Sequence, residues 1–249
     1  MLAQLTRRCF YLPGDHATDR PSLGYIRGNH FSLLIDGGNS PAHQHLMQDA
    51  LAAAALPTPS LAAVTHSHWD HVYGLCATDA LVIACGRTQK QLLAMQNWQW
   101  SKEAMVSRLQ SGEDILFCHE NILREYADPA VIRVRSADLV FDRQMTLDLG
   151  GVHAELQLLE NSHAEDCVIV YLPEEKVVYL GDITYEDLHH NPPCWHVQRR
   201  AALLGALDRL DFDWAVPGHQ DAMRRDVFFR DMESAFAQDR ESGKLLLPD

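Results

Sequence analysis

Three imidazoles and a carboxylate fall within six consecutive positions, at His66, His68, Asp70 and His71 of the run Thr65-His66-Ser67-His68-Trp69-Asp70-His71. Neutral imidazole nitrogen and carboxylate oxygen are donors that zinc, iron and manganese accept. His66 and His68 alternate about Ser67, so an extended turn sends both rings to one side. Asp70 and His71 follow on the next bend, within reach of a second ion nearby. The cluster comes directly after the apolar run Leu61-Ala62-Ala63-Val64, which has the composition of a buried strand. Histidine occupies 14 of 249 positions, so chance clustering into a solvated, histidine-rich loop is a weak account of this spacing.

Further donors follow along the chain. His163 lies in Asn161-Ser162-His163-Ala164-Glu165-Asp166, Asp182 follows the apolar run Val177–Leu180, and His219 ends Pro217-Gly218-His219. Singly, each has an ordinary reading as a turn or loop residue. Each also sits just past or beside a strand end, where loops meet at one edge of the sheets. In this order, and with Asp36 of Leu34-Ile35-Asp36-Gly37-Gly38, the motifs resemble the His-x-His-x-Asp-His signature and companion motifs of the metallo-β-lactamase superfamily. The resemblance runs from about Leu33 to His219.

The resemblance implies a dinuclear site. His66, His68 and His163 would hold one ion, and Asp70, His71 and His219 the other, with the Asp182 carboxylate bridging the two. Two such cations bring the pKa of a bridging water toward neutrality, and the resulting hydroxide attacks a polarised carbonyl or phosphoryl group. Asp70 is placed to orient the nucleophile and take its proton. Asp36 corresponds to a residue that supports the metal loop by hydrogen bonds. An all-nitrogen-and-oxygen donor set suits zinc, with manganese or iron as alternatives.

The chain also departs from the family pattern. The third motif lacks the glycines of the common Pro-Gly-His-Thr-x-Gly-Ser wording, which predicts a different backbone path around His163. Asp182 stands where one major β-lactamase class has cysteine. His68, in place of glutamate, argues against the flavodiiron branch. The short stretch after His219 argues against glyoxalase II, and no long insertion of the nuclease branch is present.

Composition narrows the partners. A formal charge of −13 opposes phosphate-backbone binding, which depends on clustered Lys and Arg, so nucleic acid is an unlikely substrate. No apolar core follows Arg7-Arg8, which predicts no export signal, and no apolar run is long enough to span a membrane. The six cysteines lack a CxxC pair; Cys76, Cys85 and Cys167 sit in apolar surroundings and are expected as reduced core thiols. A cytoplasmic enzyme is the natural expectation.

The elements that must position these donors are expected in one domain spanning 1–249. A hairpin is predicted over 22–36, and a helix from the Ser40 cap and Pro41 to Pro57. Strands are predicted at 61–65, Leu81–Ala84, Val131–Val134 and Leu139–Phe141, in the alternating run Val152–Leu158, and in a hairpin of Cys167–Leu172 with Val177–Leu180. A helix near 195–210, a strand at Trp214–Val216 and a helix after Asp221 complete the chain. Strand–helix units flanking a β meander predict an αββα sandwich of two mixed sheets with helices on the outer faces. Residues 86–128 read as mostly helical; Met95, Trp98, Trp100 and Met105 suit core packing, with a lid over the metals as the alternative.

The segment after Asp182 is expected at the mouth of the site, where Tyr185, His189, His190 or His196 could hydrogen-bond a developing oxyanion, with a solvated loop packing on Trp195 as the somewhat favoured alternative. The favoured function is hydrolysis of an ester-like bond, in a lactone, thioester or amide of a small molecule. A phosphodiesterase or nucleotide hydrolase is the alternative, hinted at only by Arg199, Arg200, Arg224 and Arg225. A non-catalytic sensor that retains metals is a third reading, and the intact set of seven donors speaks against it.

Overall fold

The computed structural model describes residues 1–248. The first half of the chain builds a seven-stranded sheet in chain order: β1 (Ala3–Gln4), β2 (Cys9–Leu12), β3 (Leu23–Arg27), β4 (Ser32–Ile35), β5 (Leu61–Ala63), β6 (Leu81–Cys85) and β7 (Leu139–Phe141). Pairing is antiparallel from β1 to β4 and parallel from β4 to β7. The second half supplies β8 (Gln144–Asp148), β9 (His153–Leu158), β10 (Val168–Leu172), β11 (Val177–Gly181), β12 (Cys194–His196), β13 (Trp214–Pro217), β14 (Met223–Arg224) and β15 (Leu245–Leu247). Six of these form a second mixed sheet in the order β14-β13-β11-β10-β9-β8, while β12 and β15 pair as a separate parallel ribbon.

Side-chain alternation divides the apolar residues into three layers. Ile26, Ile35 and Ile83 of the first sheet meet Leu156, Val168 and Val170 of the second between the sheets. The opposite face of the first sheet, with Tyr25, Leu34 and Val82, packs on Met47 and Leu51 of α1 (Pro41–Ala53). Two sheets back to back with helices outside give the expected αββα sandwich, because central strands such as β4, β10 and β11 are buried throughout and have two apolar faces to cover. Between β5 and β7 lie the short α2 (Trp69–Val72), α3 (Gly86–Met95), α4 (Lys102–Ser111) and α5 (Leu116–Glu125). On the outer face of the second sheet, Ile169, Val178 and Leu180 pack on α6 (Val197–Asp208) and α7 (Arg225–Glu241) through Leu203, Leu207 and Phe228. The predicted α1 start is present: Ser40 accepts the His43 N–H at 3.0 Å, with Pro41 at the first helical position.

Three expectations need correction. Val131–Val134 is not a strand. Asp128 caps a 3-10 turn over Pro129–Val131, and Arg133 hydrogen-bonds the carbonyls of Ala130 and Ile132, so these backbone groups are spent locally. Cys76 is exposed, because it lies on the outer side of the 3-10 turn Tyr73–Ala77; Cys85 and Cys167 are buried as expected. The helix expected from 195 begins at Val197, since Cys194–His196 is drawn into the ribbon with β15. Within 86–128, Met95, Trp100 and Met105 are buried core residues under α3 to α5, as core packing predicts, while Trp98 is only partly buried. No helix among the described residues is long and apolar enough to cross a membrane.

Candidate metal centre

The loop after β5 brings His66 and His68 beside His163, which follows β9, and ring nitrogens of the three lie within 4.8 Å of one another. Their hydrogen bonds fix which nitrogen is available. Nδ1 of His163 donates to the Glu186 carbonyl at 3.0 Å, leaving Nε2 with its lone pair, 3.0 Å from Nδ1 of His68. Nδ1 of His66 lies 3.1 Å from Thr65 Oγ1, and its buried Nε2 has no hydrogen-bond partner. Burial lowers the pKa of His66 and of His68 well below the usual histidine value, so both rings are held in the neutral form that ligates.

A second group comprises Asp70 and His71 on α2, Asp182 just after β11 and His219 just after β13. Nε2 of His71 lies 3.1 Å from Asp70 Oδ2 and 3.3 Å from Asp182 Oδ1, yet it makes no hydrogen bond to either. Nε2 of His219 lies 3.1 Å from Asp70 Oδ2 and 3.2 Å from Asp182 Oδ2. Asp182 Oδ2 is also 3.7 Å from His163 Nε2, so this one carboxylate faces both groups. The donors thus converge on shared points more than they pair with each other. Buried polar atoms without partners are costly, and His66 Nε2, His71 Nε2 and Asp182 Oδ1 are three of them at one place. This donor set fits two divalent ions, with His66, His68 and His163 around one, Asp70, His71 and His219 around the other, and Asp182 between them.

The electrostatics give a testable pH dependence. Burial opposes protonation of His71 and His219, but the Asp70 and Asp182 carboxylates outweigh it and raise both rings well above the usual histidine value in the metal-free chain. A cation must displace those protons, so metal uptake near neutral pH should release protons and affinity should fall as pH falls. Calorimetric titration in buffers of different ionisation enthalpy checks this. Identical heats in all buffers would contradict it.

Supporting residues hold the donors in place. Asp36 Oδ2 accepts from His71 Nδ1 at 2.7 Å and from Thr65 Oγ1 at 2.8 Å, while Oδ1 accepts the Thr65 N–H at 2.7 Å. The position expected to brace the metal loop therefore touches both its start and its last histidine. Two braces were not anticipated from the sequence. Asp166 accepts from the Ser67 N–H at 2.9 Å and from Thr88 Oγ1 at 3.0 Å. Asp19 places Oδ1 3.6 Å from His219 Nδ1; burial, reinforced by Asp70, pushes its pKa up to about 7. The spacing of Asp166, three residues after His163, was a usable signal; Asp19 offered none. Gly218 is required by close approach, since a Cβ there would sit 1.9 Å from Asp182 Oδ1.

Both donor groups open into a cavity of about 270 Å³. Of the residues expected at its mouth, Tyr185 and His189 line it, and the structure does not bring His190 or His196 to it. Asp187 and Cys194 exchange backbone hydrogen bonds at 2.9 and 3.1 Å, which turns the chain back and carries His196 away on β12, while His190 Nδ1 is engaged by the Pro192 carbonyl at 2.7 Å. The His189 ring lies over His68 with centroids 4.8 Å apart. Tyr185 is half-buried between His163 and His219, with ring centroids at 6.3 and 6.2 Å, and desolvation and Asp182 raise its pKa, so the hydroxyl keeps its proton.

Beyond His68, Trp69, Cys118 and His189, the cavity continues into a larger one of about 640 Å³. Ala94, Met95, Trp98 and Ile122 form an apolar wall there, and Arg87, Lys90, Glu113 and Glu165 mix both charges around it. The arginines expected to favour phosphate do not line either cavity. Arg200 stacks over Phe236 at 4.1 Å, Arg224 over Trp214 at 4.9 Å, and Arg225 over Phe212 at 4.7 Å.

Comparison with known proteins adds three observations. The family model described as the metallo-beta-lactamase superfamily matches residues 19–78, the stretch that carries Asp36 and the metal loop. A human protein, acyl-coenzyme A thioesterase MBLAC2, is 23% identical over 240 residues, covering 89% of this chain and 79% of that protein. Among solved structures, a metallo-beta-lactamase from Pontibacter korlensis superposes with a TM-score of 0.61 at 16% identity, covering 94% of this chain and 97% of its own. The inverting sec-alkylsulfatase Pisa1 from Pseudomonas sp. superposes with a TM-score of 0.65 at 16% identity, and this chain spans 40% of its length. At these identities the solved structures speak to the fold alone.

Proposed function

We propose that the chain is a member of the metallo-β-lactamase superfamily and, from that premise, a dinuclear, zinc-dependent hydrolase of a small-molecule thioester or related ester-like carbonyl. The observation that carries this reading is the convergence of seven nitrogen and oxygen donors on two points that share Asp182, at the floor of a cavity. When bound, two divalent ions supply a water of lowered pKa and polarise the scissile carbonyl.

The chain's own groups provide the rest. Asp70 lines the cavity and lies between His71 and His219, where its carboxylate orients a water and accepts its proton. The Tyr185 hydroxyl, kept protonated, donates to the oxygen on which charge develops. The adjoining cavity is of ligand-pocket size, and its apolar wall suits an acyl or alkyl chain. A thioester is favoured over a phosphodiester because Glu113 and Glu165 offset Arg87 and Lys90 there, and because the human relative is named as an acyl-coenzyme A thioesterase.

Turnover of a panel of acyl thioesters, lactones, β-lactams, phosphodiesters and alkyl sulfates by the purified chain tests the reading. Thioesters or lactones should give the highest kcat/KM; a phosphodiester or sulfate preference would overturn it. Within that reaction, Tyr185→Phe should lower kcat by about 10²- to 10³-fold with metal content unchanged, as loss of one oxyanion donor does. Wild-type kcat in that variant would remove Tyr185 from the oxyanion role.

A further inference from the structure

We propose that Asp187, Cys194 and His196 form a separate metal site that takes a zinc ion between a thiolate, an imidazole and a carboxylate. Ligand atoms of the three lie within 4.8 Å of one another, and among the described residues this is the one donor cluster that contains a thiol. None of the three lines the cavities at the His/Asp centre. The inference therefore stands apart from the function proposed above.

Local structure explains the convergence. Cys194 and His196 are two apart on β12, so both side chains leave the same face of the strand. Asp187 pairs with Cys194 in an antiparallel bridge, which sets its side chain against theirs. Its Oδ1 accepts the N–H groups of His189 and His190 at 2.9 and 3.0 Å, which fixes the carboxylate and turns Oδ2 to the cluster.

The distances distinguish a cation site from a nucleophilic triad. In a cysteine–histidine–aspartate triad the thiol and the carboxylate engage opposite nitrogens of the ring, so that a proton passes to one while the other is oriented. Here Cys194 Sγ lies 4.0 Å and Asp187 Oδ2 3.8 Å from the same nitrogen, Nε2 of His196. Three donors face one point and none is close enough for a strong mutual hydrogen bond; bonds of about 2.0–2.3 Å to a tetrahedral ion would draw them in by about half an ångström, to neighbour distances of about 3.3–3.8 Å. Three protein ligands leave a fourth position for water, and the sulfur–nitrogen–oxygen set suits zinc. An ion there ties Asp187 to β12 and so closes the base of the loop that lays His189 over His68.

The test is a cobalt titration of the chelator-treated full chain. A thiolate-to-cobalt charge-transfer band in the near ultraviolet should develop, disappear in Cys194→Ser and persist in Cys118→Ser, which removes the thiol near the His/Asp centre. The visible bands of cobalt held by nitrogen and oxygen should remain in all three proteins. Absence of the charge-transfer band at saturating cobalt, or its survival in Cys194→Ser, would overturn the proposal. Wild-type crystals soaked in zinc give a reading independent of any variant. An anomalous peak between Sγ, Nε2 and Oδ2 supports the site, and its absence at saturating zinc refutes it.

Discussion

Asp182→Ala should lower kcat/KM on the order of 10³-fold, about 4 kcal/mol at about 1.4 kcal/mol per decade, the largest loss from any single change at the centre. The reason lies in its position. Its two oxygens lie 3.3 Å from His71, 3.2 Å from His219 and 3.7 Å from His163, so it is the one side chain that serves both donor groups. Alanine removes a negative charge from between two cations and leaves them to repel each other at close range. Metal content should therefore fall along with activity. Elemental analysis and steady-state kinetics of the variant check this; full metal content with wild-type turnover would mean that Asp182 does not bridge.

Asp70→Asn should act differently. Asparagine keeps the shape and one oxygen able to ligate, but it carries no charge and cannot accept a proton. The expected result is retained metal, a KM close to wild type and a fall in kcat of about 10²-fold or more. That split between binding and turnover separates a proton-handling role from a purely ligating one. If Asp70→Asn keeps full kcat with both metals bound, Asp70 is a ligand only.

The parts of this molecule legible in its sequence are those set by short-range patterns. The apolar runs of β10 and β11 read directly as strands because both of their faces are covered, one by the first sheet and the other by α6 and α7. The His66-to-His71 loop read as a donor cluster because its spacing alone places the rings. His163, Asp182 and His219 were legible as residues at strand ends, and the sandwich brings those ends together. Asp19 was not legible, because it meets His219 only after the chain has folded across 200 positions, and nothing around it marks a brace. The segment after Asp182 misled for a related reason. Linear proximity made each of its histidines a candidate for the cavity mouth, but the Asp187–Cys194 bridge reverses the chain and sends His196 elsewhere. Likewise Val131–Val134 has strand composition, yet the turn capped by Asp128 takes its backbone first.

The most direct test of the central claim is turnover of an acyl thioester by the purified chain before and after removal of metal by a chelator, followed by zinc replacement. The account predicts that stripping abolishes turnover and that zinc restores it, with elemental analysis finding at least two ions per chain in the active protein. Unchanged thioester turnover in protein shown to be free of metal would contradict it.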